Sequence, residues 1–406
     1  MFALNCSPDL DMNVEPDYLC KMILVEFHSR GHYPEYINNI LEDRAAGGDG
    51  TSCVFYLSYK MQGLLSATSM SLVGKSVHFV GPDIIARYEA ISSVRGKADY
   101  YLEYVQEMAL YERANHVIFL CLNAVARSRR LWLGAKRFRF SGIFLQSPYR
   151  LRVSRSWGLR LFRREFALWL LAKNRLCKSI LLLNDDEGAC YYQKWSKKIR
   201  YLADPVRICE PSQLSVREYH ALPERIVTFL HIGVLGRYKG TDLVLDVIQG
   251  LEASVMQKAR FLFIGRLDAE LQRQVCLLNK KVGFDLVLTR SEFITDADFS
   301  AYMQQADVLL VANRNVESSS GILNHCLARC KVVIAPNAMY YSERLSSYGG
   351  ALLFSDEVQL ARCIEKALGG GSEYKARASA FDSKVFREEY SVLRFVETIF
   401  NEDIVG

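Results

Sequence analysis

The sequence predicts an α/β protein made of two units, each built on a parallel sheet, that face one another across a cleft. Three observations carry this. Short apolar runs alternate with helical patterns along most of the chain, as they do where crossover helices join parallel strands. A polar, proline-containing stretch from Asp204 to Glu224 interrupts the alternation, which then restarts. The length, 406 residues, also exceeds what one ordinary core encloses.

In the first unit the candidate strands are Met22 to Phe27, Cys53 to Leu57, Val77 to Val80, His116 to Leu122, Ser141 to Leu145 and Ser179 to Leu183. Helical patterns such as Glu35 to Asp43 and Tyr101 to Arg113 lie between them. The second unit opens on a strand at Ile226 to Ile232, followed by a helix from Thr241 to Leu251. Strands at Phe261 to Ile264 and Leu286 to Leu288, a helix at Asp296 to Ala306 and a strand at Val308 to Val311 come next. The strand Val332 to Ala335 and the helix Glu357 to Leu368 continue the alternation. The expected division is residues 1–204, a linker at 205–224, a second domain at 225–382, and a C-terminal helix within 383–406 (Ser383 to Phe400) packing back on the first domain.

Half of the residues are hydrophobic and 24% are charged, as in a soluble globular protein. No apolar run is long enough for a transmembrane helix, and the polar, acidic start from Met1 to Pro16 argues against a secretory signal. The 11 cysteines are scattered, with no zinc-like spacing; Cys53, Cys121, Cys177 and Cys276 fall in apolar runs, which fits a reducing cytoplasm. From Ala124 to Arg175 there are 14 basic residues and one acid, Glu165, a local +13 in a chain whose total is +6. Within it, a helix from Ser156 to Arg175 places Leu159, Phe162, Phe166 and Trp169 on one stripe, flanked by Arg160, Arg163 and Arg164. That pattern fits an interfacial helix on anionic lipid; it also fits a core-packed helix with a solvated basic face. Nucleic-acid binding lacks any recognisable module.

Two stretches carry chemistry. In the first, Val316-Glu317-Ser318-Ser319-Ser320-Gly321, a strand runs through a carboxylate-bearing loop into a helix N-terminus, where free backbone N–H groups favour phosphate. In the second, Gly233 to Gly240, a glycine-rich turn between strand and helix offers Arg237 and Lys239 to a diphosphate. Both sit beyond the carboxyl ends of strands, where open α/β sheets bind ligands. In the first unit the equivalent loop is His28-Ser29-Arg30-Gly31-His32. Asn184-Asp185-Asp186-Glu187 reads as a helix start rather than a metal site.

The second half resembles the retaining glycosyltransferases of family four, which have the GT-B fold of two Rossmann-like domains facing a central cleft. The matching pieces are His231-Ile232-Gly233, Lys239-Gly240-Thr241-Asp242, Phe263-Ile264-Gly265, Ala306 to Val311, Glu317 to Leu323, Lys331 to Ala335 and Gly349 to Phe354. The first half resembles the family loosely, through Gly31-His32. The resemblance implies a metal-independent, cofactor-free transferase that moves a sugar from a nucleoside-diphosphate sugar to an acceptor hydroxyl with retention. The expected acceptor is a glycan or lipid-linked glycan in surface polysaccharide assembly, and the expected location is the cytoplasm, peripherally on the inner face of the membrane.

By position, Lys239 and Arg237 would meet the donor diphosphate and Glu317 the sugar hydroxyls. Ser319, Ser320 and the amides of Gly321, Ile322 and Leu323 would surround phosphate oxygens. Gly31 and the catalytic candidate His32 would lie near the reacting centre, and the loop from Arg290 to Ile294 would meet the base. There are two departures: His325 replaces the second motif glutamate, and Val234 stands where the family has an arginine. They keep open a non-catalytic GT-B-like binding or scaffold protein, and the fold also serves a nucleotide-sugar isomerase.

Overall fold

The structure is a computed structural model and describes residues 21–46, 53–128, 130–133, 138–153, 158–292, 294–314 and 320–400. The first domain holds seven strands: β1 (Met22–Glu26), β2 (Cys53–Ser58), β3 (Val77–Val80), β4 (His116–Phe119), β5 (Arg139–Phe144), β6 (Cys177–Leu183) and β7 (Ile199–Leu202). They pair in the order β3-β2-β1-β4-β5-β6-β7, all parallel. The second domain holds β8 (Val227–Ile232), β9 (Ala259–Ile264), β10 (Val287–Arg290), β11 (Val308–Leu310), β12 (Val332–Pro336) and β13 (Ala351–Phe354). Their order is β10-β9-β8-β11-β12-β13, again all parallel. The order therefore reverses beside β1 in one sheet and beside β8 in the other. At such switch points the flanking crossovers lie on opposite faces and open a crevice at the carboxyl ends.

Both faces of each sheet are covered, which is why the strands read as continuous apolar runs. In β1, Ile23 and Val25 join one core with Phe119, Phe140 and Leu168. Met22 and Leu24 join the other with Tyr36, Ile40 and Phe395. In the second domain Phe229, Phe261 and Phe263 fill one face, and Leu230, Leu262 and Ile264 the other.

The structure departs from the sequence expectation in four places. Strand β7 has no apolar run, because it lies at the sheet edge with only its two ends buried. The expected helix Ser383 to Phe400 is two helices, Ser383–Glu389 and Val392–Phe400. The break falls where the Tyr390 carbonyl accepts from the Val206 N–H (2.8 Å) and the Ser391 hydroxyl caps the second helix through Arg394 N–H (3.2 Å). Beyond it, Phe395, Val396 and Ile399 are buried in the first domain's core, each worth about 1.5–3 kcal/mol. The start of the polar linker is interior: Asp204 and Val206 are both buried. Finally, Cys276 is exposed; on the helix Ala269–Val282 the buried stripe is Leu271, Val275 and Leu278.

Candidate functional site

Strand β8 delivers the glycine-rich loop, and a hydrogen-bond network fixes its shape. His231 is buried, and its Nδ1–H donates to the Leu310 carbonyl at the end of β11 (3.0 Å). The Thr241 hydroxyl donates to His231 Nε2 (2.9 Å) and accepts from the Gly236 N–H (3.0 Å). Burial holds the His231 pKa down at about 4, so the ring stays neutral with one donor and one acceptor, as the network needs. Gly240 closes the loop at φ +69°, and a Cβ there would fall 2.0 Å from the Ala312 carbonyl oxygen. Only glycine allows the loop after β8 to come that close to the chain leaving β11.

Lys239 ends this loop in a short 3₁₀ turn, Arg237–Lys239. It is partly buried, and burial lowers its pKa. Among the described residues no carboxylate pairs with it. A desolvated, unneutralised ammonium is unfavourable alone and favours an anion beside it. Arg237 lies on the exposed side of the same turn.

Next to this loop the helix Gly321–Ala328 begins, with Ser320 as its first cap. Ser320 is buried, but its side chain makes no capping bond; it lies beside the Tyr341 phenol, which also receives Asn313 Nδ2 (2.8 Å). The Leu323 N–H is already donated to the Ser320 carbonyl (3.0 Å). That leaves the amides of Gly321 and Ile322 as the ones without an acceptor among the described residues. Glu317 and Ser319, both expected at this site, lie outside the described residues.

One turn on, His325 packs edge-to-face on Phe299 with ring centroids 4.9 Å apart. Burial first, and Arg329 second, lower its pKa to about 3. Arg329 Nη1 donates to Nδ1 (2.8 Å) and Nη2 to Ser300 Oγ (3.1 Å). The neutral ring therefore carries its proton on Nε2 and offers a ligand a donor, where a glutamate would offer two acceptors. Ile294 packs on the same core face, against which Ile322 and Phe299 also rest. Arg290 is committed to Asp298 (3.0 Å) and Glu292.

Across the cleft, Gly31 takes φ +71°, and His32 begins the helix Tyr33–Ala45. A Cβ on Gly321 would lie 3.8 Å from His32 Cε1, so the two loops meet at van der Waals distance. His32 stacks on Tyr36 (5.8 Å), whose hydroxyl donates to the buried Asp204 (2.5 Å). Glu35 beside it and Asp204 behind it raise the His32 pKa, against burial and Lys239. Lys239, Gly321, Gly31 and His32 are thus brought together from two domains.

The reading of single residues missed the Glu26–His28 pair one turn upstream. Its signal was a lone acid closing the apolar run Met22 to Phe27. Elsewhere, Asp185 Oδ1 accepts from the Gly188 N–H (3.1 Å), a helix cap. In the basic segment the helix spans Leu159–Lys173 and has two different faces. Leu161, Leu168 and Leu171 enter the core, while Leu159 (61% exposed), Phe162 (65%), Phe166 (49%) and Trp169 (42%) face solvent, so the helix packs on the core through a stripe other than the expected one. The three rings stack in series at 6.0 and 6.1 Å. Arg160 and Arg163 are exposed beside them, Arg164 reaches Gln146 (2.9 Å), and Glu165 is held by Arg152 in a two-bond fork at 2.8 Å.

No protein-family model matches the chain, and no curated protein matches it. Solved structures do. WaaG, a glycosyltransferase involved in lipopolysaccharide biosynthesis, superposes with a TM-score of 0.65 at 15% identity, over 94% of this chain and 99% of its own. HepE from Anabaena, in complex with UDP and glucose, gives 0.64 at 13% identity, over 94% and 99%. The sucrose-phosphate synthase of Thermosynechococcus elongatus gives 0.65 at 13%, over 94% and 98%. The chain has the GT-B fold of these glycosyltransferases.

Proposed function

We propose that this chain is a glycosyltransferase that moves a sugar from a nucleoside-diphosphate sugar to an acceptor hydroxyl. The observation that carries the reading is Lys239, a partly buried ammonium without a carboxylate partner among the described residues, at the β8 switch point and opposite His32. The leaving group is a diphosphate, and the hard step is charge build-up on its bridging oxygen. Lys239 and the amides of Gly321 and Ile322 are fixed before that charge develops, so they stabilise it without reorganising. Glu317 would orient the sugar, and closure of the domains would exclude water. HepE, of the same fold, binds UDP and glucose, which makes uridine nucleotides the first to test. Retention at the anomeric carbon follows from the resemblance and is read directly from the product anomer.

A nucleotide held at 100 times its dissociation constant adds about 2.7 kcal/mol of stability. Thermal melts with UDP, GDP, ADP and UDP-glucose should therefore show a clear rise for at least one, while a flat response to all would remove the donor site. One observation favours a binding protein without catalysis: His325 presents a donor where the resemblance expects a second carboxylate. Turnover of the nucleotide sugar that shifts the melt decides between the two.

The acceptor side, in this reading, works at an anionic membrane surface, with a lipid-linked or membrane-borne glycan as acceptor. Stacked aromatic rings on the solvent face of Leu159–Lys173, flanked by arginines, suit insertion at the headgroup level. Each basic residue near such a surface contributes about 1 kcal/mol. Reversing Arg160, Arg163 and Arg164 to glutamate should thus weaken sedimentation with phosphatidylglycerol vesicles by at least about 100-fold. Equal sedimentation of both forms would exclude the surface.

A further inference from the structure

We propose that the first domain carries a second anion site, at the end of its sheet away from the cleft, which takes a phosphate monoester such as a sugar phosphate, or free phosphate. The site stands independently of the transferase reading.

Open α/β sheets bind their ligands beyond the carboxyl ends of the strands. A cavity of about 380 Å³ lies instead at the amino ends of β1, β2 and β3. That volume suits one small molecule. Lys21 reaches it from the residue before β1, Lys75 from the turn into β3, and His78 from β3 itself. Arg44 reaches it from the last turn of the helix Tyr33–Ala45. His32 begins that same helix, so its 13 residues put about 20 Å between the cavity and the cleft.

Among the described residues one acid lines the cavity, Glu112, and it is already engaged. Lys21 Nζ donates to one of its oxygens (2.5 Å) and the Tyr56 hydroxyl to the other (2.5 Å). Burial works to raise the Glu112 pKa, but these two bonds outweigh it and lower it. Lys21 and Glu112 therefore cancel, which leaves Arg44, Lys75 and the imidazole of His78 to set the sign of the space. The Arg44 charge reaches the cavity wall: burial pushes the Cys53 thiol up to about 12, and Arg44 is the group that opposes this. Arg44 also lies over the Phe400 ring at 4.3 Å, and His78 stacks on Tyr56 at 5.3 Å, so aromatic faces orient both heads. A recess lined by charge of one sign raises the local concentration of the opposite ion.

Phosphate is the anion that fits. An arginine fork and a lysine match its several oxygens and its double charge. The Ser76 hydroxyl, next to Lys75, adds a further donor. Leu41, Phe55 and Leu72 supply an apolar wall, so the space accepts the carbon body of a monoester as well as its head.

Titration calorimetry on the full chain tests the site with glucose 6-phosphate, inorganic phosphate and glucose. Both phosphates should bind with dissociation constants of about 1 mM or tighter, and glucose should not bind. Tighter binding of glucose 6-phosphate assigns a phosphorylated sugar; equal affinity of the two assigns phosphate itself. Lys75→Gln should weaken both phosphates by about 10-fold or more, and Arg44→Gln likewise, the worth of a hydrogen bond to a charged group. Lys75 is exposed, so without ligand its variant should melt as wild type does, and lost binding there is not lost fold. Lys239→Met, in the other domain, should bind glucose 6-phosphate as wild type does. The proposal is overturned if neither phosphate binds, if glucose binds as well as glucose 6-phosphate, or if Lys75→Gln binds both phosphates normally. Binding lost in Lys239→Met but kept in Lys75→Gln would put the anion in the cleft and overturn it too.

Discussion

Replacing Lys239 with methionine is expected to leave the ligand-free protein as stable as wild type or slightly more so, while nucleotide affinity falls by about 10–100-fold, the worth of a hydrogen bond to a charged group. The two halves of this result have one cause. In the ligand-free chain the ammonium is desolvated and no described carboxylate compensates it, so its pKa is lowered. Removing it relieves that penalty. With a diphosphate present the same charge is satisfied, and its loss leaves phosphate oxygens without a partner. Any transfer activity should fall further, by about 10²–10³, because the bridging oxygen gains charge in the transition state. Melting curves with and without nucleotide check this: a variant that is destabilised alone but binds nucleotide normally would make Lys239 a structural residue. Affinity should also weaken with rising pH earlier than for an ordinary lysine, because the depressed pKa brings loss of the proton within reach sooner.

The second large effect is expected at Gly240. A methyl group there meets the Ala312 carbonyl oxygen at 2.0 Å, and the backbone sits at φ +69°. The left-handed conformation costs a side-chain-bearing residue about 1–2 kcal/mol, and forcing a methyl into a packed contact adds about 1–3 kcal/mol. Gly240→Ala should therefore lose several kcal/mol in urea unfolding and also the nucleotide-dependent shift, since the loop must move away from β11. Gly236→Ala is the control. That residue has extended backbone and open space within 4 Å of its Cβ position, so its unfolding curve should match wild type. Similar losses in both variants would refute the close approach.

The sequence made most strands readable because each is covered on both faces, so β1 appears as Met22 to Val25 with little polar interruption. Where one face or edge is open the signal disappears, as in β7, whose central residues Arg200 and Tyr201 are half-buried. The break at Tyr390 was hidden for a different reason: its cause is a hydrogen bond to Val206, far away in sequence. The site divides along the same line. Lys239 and Gly240 could be found because glycines and cations between a strand and a helix form a local pattern. The state of His325 could not, because Arg329 decides which ring nitrogen carries the proton, and a helical turn of sequence does not show that. The network from Leu310 through His231 to Thr241 was likewise invisible, since strand pairing assembles it. The Glu26–His28 pair was visible only as an acid in the wrong company, and its partner became evident once β1 had an end.

The double passage of the chain between the domains has a mechanical meaning. The linker leaves the first domain beside Asp204, and the C-terminal segment returns beside it at Tyr390. The two are joined by Val206 N–H to Tyr390 carbonyl and by the hydroxyls of Tyr201 and Tyr390 at 2.8 Å, with Arg344 bound to Tyr201 at 3.1 Å. One tether would let the domains swing and twist in any direction. Two tethers bonded side by side resist twisting and leave a single bending axis, as two pins on a door do. Entry of a ligand and departure of a product would then share one path, and the pace of both would be set at Tyr201 and Tyr390.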